Sequence, residues 1–235
     1  MYQLLYRIYS TGPYLHLQEC PDCHQPRSEV VRQKNVPRAV FNTIPLGPQL
    51  QAMWRHPDTA RKMRYRVHRT QERFDELEQN KGFVNNYDDV FCGQAYLEAV
   101  QKGSIGPDDT LLMFSIDGAQ LFESKESDCW IYIWVILDLS PDYHYKKQFV
   151  LPGAIIPGPK KPRFVESFLF PGLYHLSALQ WEGLRVWDAA QGRVFDSRLY
   201  FFLGCGDGPG LTTLSNFVGH SGKCGCRMLC SLTGW

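Results

Sequence analysis

Apolar residues change their spacing several times along the chain, and each change predicts a different kind of element. The first 45 residues mix a Cys-x2-Cys element with Pro, Arg and polar residues and hold no sustained period, which predicts a small irregular segment. From Pro48 the spacing turns helical. Leu50 and Trp54 stand one turn apart, His56-Pro57-Asp58 breaks the run, and Ala60, Met63, Val67 and Phe74 then recur near the helical period. A further helix is expected from a cap at Asp88 or Asp89, through Tyr96, Leu97 and Val100, to a stop at Gly103.

Beyond SIGPDD the texture becomes that of strands. TLLMFSIDG at 110–118 is a nearly continuous apolar run ending on Asp117 and Gly118, which suits a strand buried on both faces. CWIYIWVILDL at 129–139 reads as a second strand, joined to the first through QLFESKESD, and QFVLPGAIIPG at 148–158 as a short third one limited by Pro152 and Pro157. Leu173, Leu176, Leu179 and Leu184 then predict a helix that starts afresh at Pro171. SRLYFFLGCGD predicts a fourth strand running into Gly206-Asp207-Gly208-Pro209-Gly210. Three strands, a helix and a strand, with an acid closing the first and fourth strands, is the opening half of a ribonuclease H-like fold. The expected class is therefore α/β, organised as an irregular segment 1–45, a helical basic region 46–105 and a partial ribonuclease H-like domain 106–235.

Composition narrows the function classes. A chain of 235 residues with 44% hydrophobic and 21% charged residues is ordinary globular material and excludes a disordered polyelectrolyte. A net charge of +1 gives no global pull toward nucleic acid, so any such role rests on local clusters. Residues 51–73 hold Arg55, Arg61, Lys62, Arg64, Arg66, Arg69 and Arg73 against Asp58 and Glu72. Residues 144–163 hold Lys146, Lys147, Lys160, Lys161 and Arg163 and no acid. Each cluster reads equally as a phosphate-contacting surface or as a solvated helix face. WIYIWVIL at 130–137 is far shorter than the roughly 20 apolar residues a membrane helix needs, and Arg7 interrupts the apolar start, so an intracellular protein with reduced thiols and no membrane partner is expected.

Two kinds of site suggest themselves. Asp117 and Asp207, each beside glycine at a strand end, offer hard oxygen donors for Mg2+ or Mn2+, as two-metal phosphoryl transfer requires; an Asp-Gly turn is the plainer reading of each. Cys20 and Cys23 have the spacing of half a zinc site, with His16 and His24 nearby, and His220, Cys224, Cys226 and Cys230 supply the ligand number of a closed Zn2+ site at spacings unlike those of a common finger. Asp138 reads as a turn residue after its strand, Asp188 as a helix terminus, and His175 as a hydrogen-bonded core histidine.

The stretches FNTIPLGPQLQAMWR, YDDVFCGQAYLEAV, LLMFSIDGAQLFESKESDCWIYIWVILDLSPD, VLPGAIIPGPKKP, ESFLFPGLYHLSALQWEGLRVWDA and GDGPGLTTLSNFVGHSGKCGCRMLC resemble the transposase of CACTA-type (En/Spm) elements, particularly its fungal branch, over nearly the whole chain. The resemblance implies a nuclear, DNA-cleaving and strand-joining domain of the Asp-Asp-Glu type. Asp117 matches its first metal-holding acid and Asp207 its second, with transposon ends as DNA partner and a homo-oligomer in the full-length protein. It further implies that His220, Cys226 and Cys230 belong to a cysteine-containing insertion and that Cys224 is a departure from the pattern. No residue here matches the third acid, a Glu beyond that insertion, so the chain is expected to be inactive by itself. The competing expectations are a non-catalytic DNA- or protein-binding remnant that uses segment 51–73, and a zinc-stabilised module.

Overall fold

The computed structural model describes residues 15–21, 24–38, 40–120, 128–158 and 164–215, together with Val218 and residues 222–223. Within 1–45 it finds more order than the sequence suggests. Strands β1 (Ser28–Val31) and β2 (Lys34–Pro37) form an antiparallel hairpin whose turn residues Arg32 and Gln33 both carry positive φ. Strand β3 (Asn42–Thr43) leads into α1 (Leu46–Trp54), α2 (Pro57–Lys62) and α3 (Tyr65–Gln79). The expected break at His56 is the α2 cap, its imidazole accepting the Asp58 N–H. A 3-10 turn at Val90–Cys92 precedes α4 (Gln94–Gln101), and Gly103, at φ +72°, follows as the expected stop.

Strands β4 (Thr110–Gln120) and β5 (Asp128–Ile136), helix α5 (Pro141–His144), strand β6 (Leu151–Pro157), helix α6 (Val165–Glu182), strands β7 (Leu184–Asp188), β8 (Arg193–Ser197) and β9 (Leu199–Cys205), and helix α7 (Gly208–Ser215) complete the order. Five strands form one mixed sheet in the order β3-β6-β5-β4-β9, with β4 and β9 parallel and the other neighbours antiparallel. Strand β4 is apolar at almost every position because both of its faces are covered. Leu112, Phe114 and Ile116 meet Leu50 and Trp54 of α1 and Leu169 and Leu176 of α6, whereas Leu111 and Met113 meet Tyr96 and Leu97 of α4. Residues 46–105 therefore share both hydrophobic cores with the sheet.

Two expectations about the crossover region need correction. Helix α6 begins at Val165 and keeps Pro171 inside it, because the turn before the proline is fastened by buried Val165, Phe168 and Leu169. Leu184 does not extend that helix: Gly183, at φ +79°, ends it, and Leu184 opens the β7–β8 hairpin, whose buried positions alternate from Leu184 through Val186 to Asp188. Asp188 is accordingly the buried end of a strand, not a helix terminus.

His175 behaves as expected. Its Nε2 accepts the Gly47 N–H at 3.3 Å, which requires the neutral imidazole, and burial lowers its pKa. Burial also lowers His144, ahead of the opposing pull of Asp89. Histidines with depressed folded pKa values destabilise the fold as pH falls through the unfolded value of 6.5, where only the unfolded chain gains protons. Urea midpoints should therefore drop between pH 7.5 and 5.5, and drop less in His175→Gln. An equal drop in that variant would mean that His175 is already protonated in the fold.

Candidate catalytic site and basic surface

The two candidate acids come together through the register of β4 and β9. A bulge after Leu112 shifts the pairing by one residue, so that Met113 faces Leu203 and Ser115 faces Cys205. Paired residues on neighbouring strands share a face. Asp117 follows Ser115 by two residues and Asp207 follows Cys205 by two, so both acids stand just past the end of the parallel pairing. Asp117 is still inside β4, which runs on to Gln120 instead of closing at Asp117-Gly118, and Asp207 lies beyond the end of β9. A second approach fixes the geometry: a methyl group added at Gly210 would fall 2.8 Å from Asp207 Oδ1 and 3.3 Å from the carbonyl oxygen of Ile116, the residue before Asp117. Only glycine lets the first turn of α7 lie that close to β4.

Both carboxylates are exposed, and each has one oxygen engaged by a backbone N–H. Gly118 N–H donates to Asp117 Oδ1 at 2.7 Å, and Gly210 N–H donates to Asp207 Oδ1 at 2.6 Å, which makes Asp207 the cap of α7. Among the described residues no cation pairs with either acid. Two exposed carboxylates, each with its second oxygen open to a ligand at the end of a parallel strand pair, form a donor set that fits a hard divalent cation. Among the described residues no third His, Cys, Asp or Glu joins them in a metal-holding group. The sequence offered no sign of the bulge or of the closeness of Gly210, the two features that set this geometry.

The candidate DNA contacts Arg55, Arg61, Lys62, Arg64, Arg66 and Arg69 divide. Arg66 is 2% exposed: its Nε donates to Asp138 at 2.6 Å, its Nη2 to the carbonyls of Asp109, Gly106 and Pro107, and its Nη1 to the Tyr96 hydroxyl. Burial works against this charge and Asp138 with Tyr96 more than offsets it, so its pKa is raised. Such a guanidinium is out of reach of a phosphate, and the expected DNA contact at Arg66 is corrected to a core residue. Arg64 is also largely tied up, bridging Asp108 at 2.8 Å and Asp188 at 2.6 Å while lying over the Trp54 ring. Arg193 closes the network on Asp108, whose carboxyl Arg193 and Arg64 hold below the usual range. Arg69 is held by Glu72 and, through both carboxylate oxygens, by Asp88. Arg55 and Arg61 remain exposed, Arg61 beside Asp58, and Lys62 is half-buried.

Asp138, read as a turn residue, is a buried partner whose second oxygen accepts the Leu111 N–H at 2.8 Å. Cys20 is buried in a turn where the His24 N–H donates to its carbonyl at 2.8 Å, with His24 at positive φ. Cys23, His220, Cys224, Cys226 and Cys230 lie outside the described residues, as do Lys160, Lys161 and Arg163. No helix among the described residues is long and apolar enough to cross a membrane.

The chain is thus a mixed α/β domain that brings two acids together just past the paired part of two parallel strands. A sequence model of the transposase family tnp2 matches residues 104–233, more than half of the chain and both acids, and the chain belongs to that family. No curated protein matches the sequence.

Proposed function

We propose that this chain is part of the catalytic domain of a CACTA-type transposase of the fungal branch, built on an incomplete ribonuclease H-like fold, in which Asp117 and Asp207 hold Mg2+ or Mn2+ for cleavage and joining of DNA ends. The observation that carries this reading is the convergence of those two acids just past the paired part of β4 and β9. The sheet supports it as well: three successive antiparallel strands, β4-β5-β6, are followed by α6 and a return in β9 parallel to β4. A divalent ion bound there would activate the attacking oxygen and stabilise the leaving one on the phosphodiester. Asp117 supplies a carboxylate from β4, fixed by the Gly118 N–H. Asp207 supplies one from a helix cap, fixed by the Gly210 N–H. Zinc at Cys20 and Cys23, and at His220, Cys226 and Cys230, belongs to this proposal as a separate structural role.

Asn substitutions test the acid pair, because Asn retains the capping oxygen of Asp207 while removing its charge. Manganese titrated into the chain and followed by electron paramagnetic resonance should show weak binding that Asp117→Asn and Asp207→Asn each reduce by tenfold or more. Binding that survives both substitutions would sink the assignment. With two acids and, among the described residues, no third beside them, supercoiled plasmid should stay intact in Mn2+, since losing one transition-state electrostatic partner costs about a hundredfold to a thousandfold in rate. Nicking that Asp117→Asn abolishes would reveal a third ligand within these residues.

A further inference from the structure

The two basic clusters of the sequence, 51–73 and 144–163, meet on the surface at one aromatic ring. Lys62, at the end of α2, places its ammonium group 4.8 Å from the centre of the Tyr143 ring, and Lys146, in the turn after α5, places its own 4.6 Å from the same centre. Tyr143 is held edge-on against buried Phe149, over which Lys62 also extends. The turn is fixed by the Lys146 N–H on the Tyr143 carbonyl and by the Phe149 and Val150 N–H groups on the Lys146 carbonyl. Neither lysine has a carboxylate partner among the described residues, in contrast to Arg61, Arg64, Arg66 and Arg69. Exposed Lys147 adds a third positive charge, and exposed Asp142 is the acid nearest in sequence.

Two ammonium groups held on one ring repel each other, and the ring quadrupole offsets only part of that repulsion. Phosphate groups of a nucleic-acid backbone, bound at either ammonium, would offset the rest. The patch is separate from the acid pair: Asp117 faces Ile131 on β5 while Leu112 faces Ile136, so about 17 Å of strand runs from the acids toward the end of the sheet where α5 begins. We propose that Lys62, Lys146 and Lys147, arranged around Tyr143, form a contact surface for the phosphate backbone of duplex DNA, distinct from the acid pair. The inference rests on the DNA-substrate reading above for the identity of its partner and on the geometry of the lysines for its location.

The test uses the full chain and a fluorescent 20-base-pair duplex, with binding followed by anisotropy at several salt concentrations and no divalent ion. Lys62→Gln with Lys146→Gln keeps the aliphatic stems and removes both charges. It should weaken binding at every salt concentration and reduce the slope of log affinity against log salt by about 2, near 0.9 for each phosphate no longer neutralised. Lys62→Arg with Lys146→Arg should restore both, and Lys81→Gln with Lys102→Gln should leave both unchanged. Unchanged affinity and slope in the first variant, at an unchanged melting temperature, would overturn the proposal. So would loss of binding to phosphatidylserine vesicles while DNA binding stays intact, which would assign the surface to a membrane. The Lys62→Gln, Lys146→Gln variant should bind Mn2+ as the unaltered chain does in the resonance titration, so failure of the metal reading and failure of this one give different results.

Discussion

Asp138→Ala should destabilise the fold by about 3–5 kcal/mol, the usual consequence of removing one member of a buried ion pair and stranding the other. Arg66 would then retain only neutral acceptors, the carbonyls of Gly106, Pro107 and Asp109 and the Tyr96 hydroxyl, and the Leu111 N–H would lose its acceptor at the start of β4. Arg66→Met strands the carboxylate instead and should cost a similar amount. The double substitution Arg66→Met with Asp138→Leu removes both charges and should recover much of the loss, since apolar replacements of buried pairs are often neutral. Urea unfolding at neutral pH measures all three. A cost below about 1 kcal/mol for Asp138→Ala would mean that water reaches the pair. Arg66→Met should change DNA affinity only to the extent that it unfolds the chain, unlike the lysine substitutions at Tyr143.

The contrast between Arg66 and Lys62 shows where the sequence stops being legible. Both belong to one basic run, and their spacing says nothing about which is buried. The decision lies with Asp138, far along the chain, and with the loop carbonyls of residues 106–109, which a local reading cannot place. Strands were clearer, because β4, β5, β6 and β9 are apolar or β-branched over most of their length. The β7–β8 hairpin stayed hidden for a different reason: Leu184 continues the leucine spacing of α6, and only the positive φ of Gly183 breaks it. Pro171 misled in the same way, since proline usually opens a helix and here sits within one that earlier buried residues already anchor. The acid pair was half legible. The two Asp-Gly steps could be read directly, although β4 runs three residues past Asp117, whereas the bulge that aligns Ser115 with Cys205 left no mark in the composition.

Gly153→Ala should be about as damaging, at or above roughly 3 kcal/mol, the upper part of the range for overpacked cores. Gly153 lies in β6 where the register with β5 shifts between Tyr132 and Ile133, and the Tyr132 ring fills the place its side chain would take. An added methyl would come within 1.9 Å and 2.3 Å of two ring carbons, with the Trp134 indole nitrogen at 3.0 Å behind them. Tyr132 and Trp134 are both almost fully buried, so neither can swing away. Gly172, on α6, meets the other end of the same side chain: its methyl would fall 2.2 Å from the Tyr132 hydroxyl oxygen and 3.1 Å from the ring carbon bearing it. That hydroxyl has no hydrogen-bond partner among the described residues, and burial pushes its pKa up to about 12. Tyr132→Phe should therefore be neutral or slightly stabilising, because it removes a polar atom that is buried without compensation. The two glycines should respond differently in that background. Gly172→Ala loses its worst clash, with the hydroxyl, and gains the helix preference of alanine, about 1 kcal/mol, so most of its cost should disappear. Gly153→Ala still strikes ring carbons that phenylalanine keeps, and its cost should persist. Denaturant melts of the two single and two double variants measure this coupling, and equal rescue of both glycines by Tyr132→Phe would contradict the placement of the ring between β6 and α6.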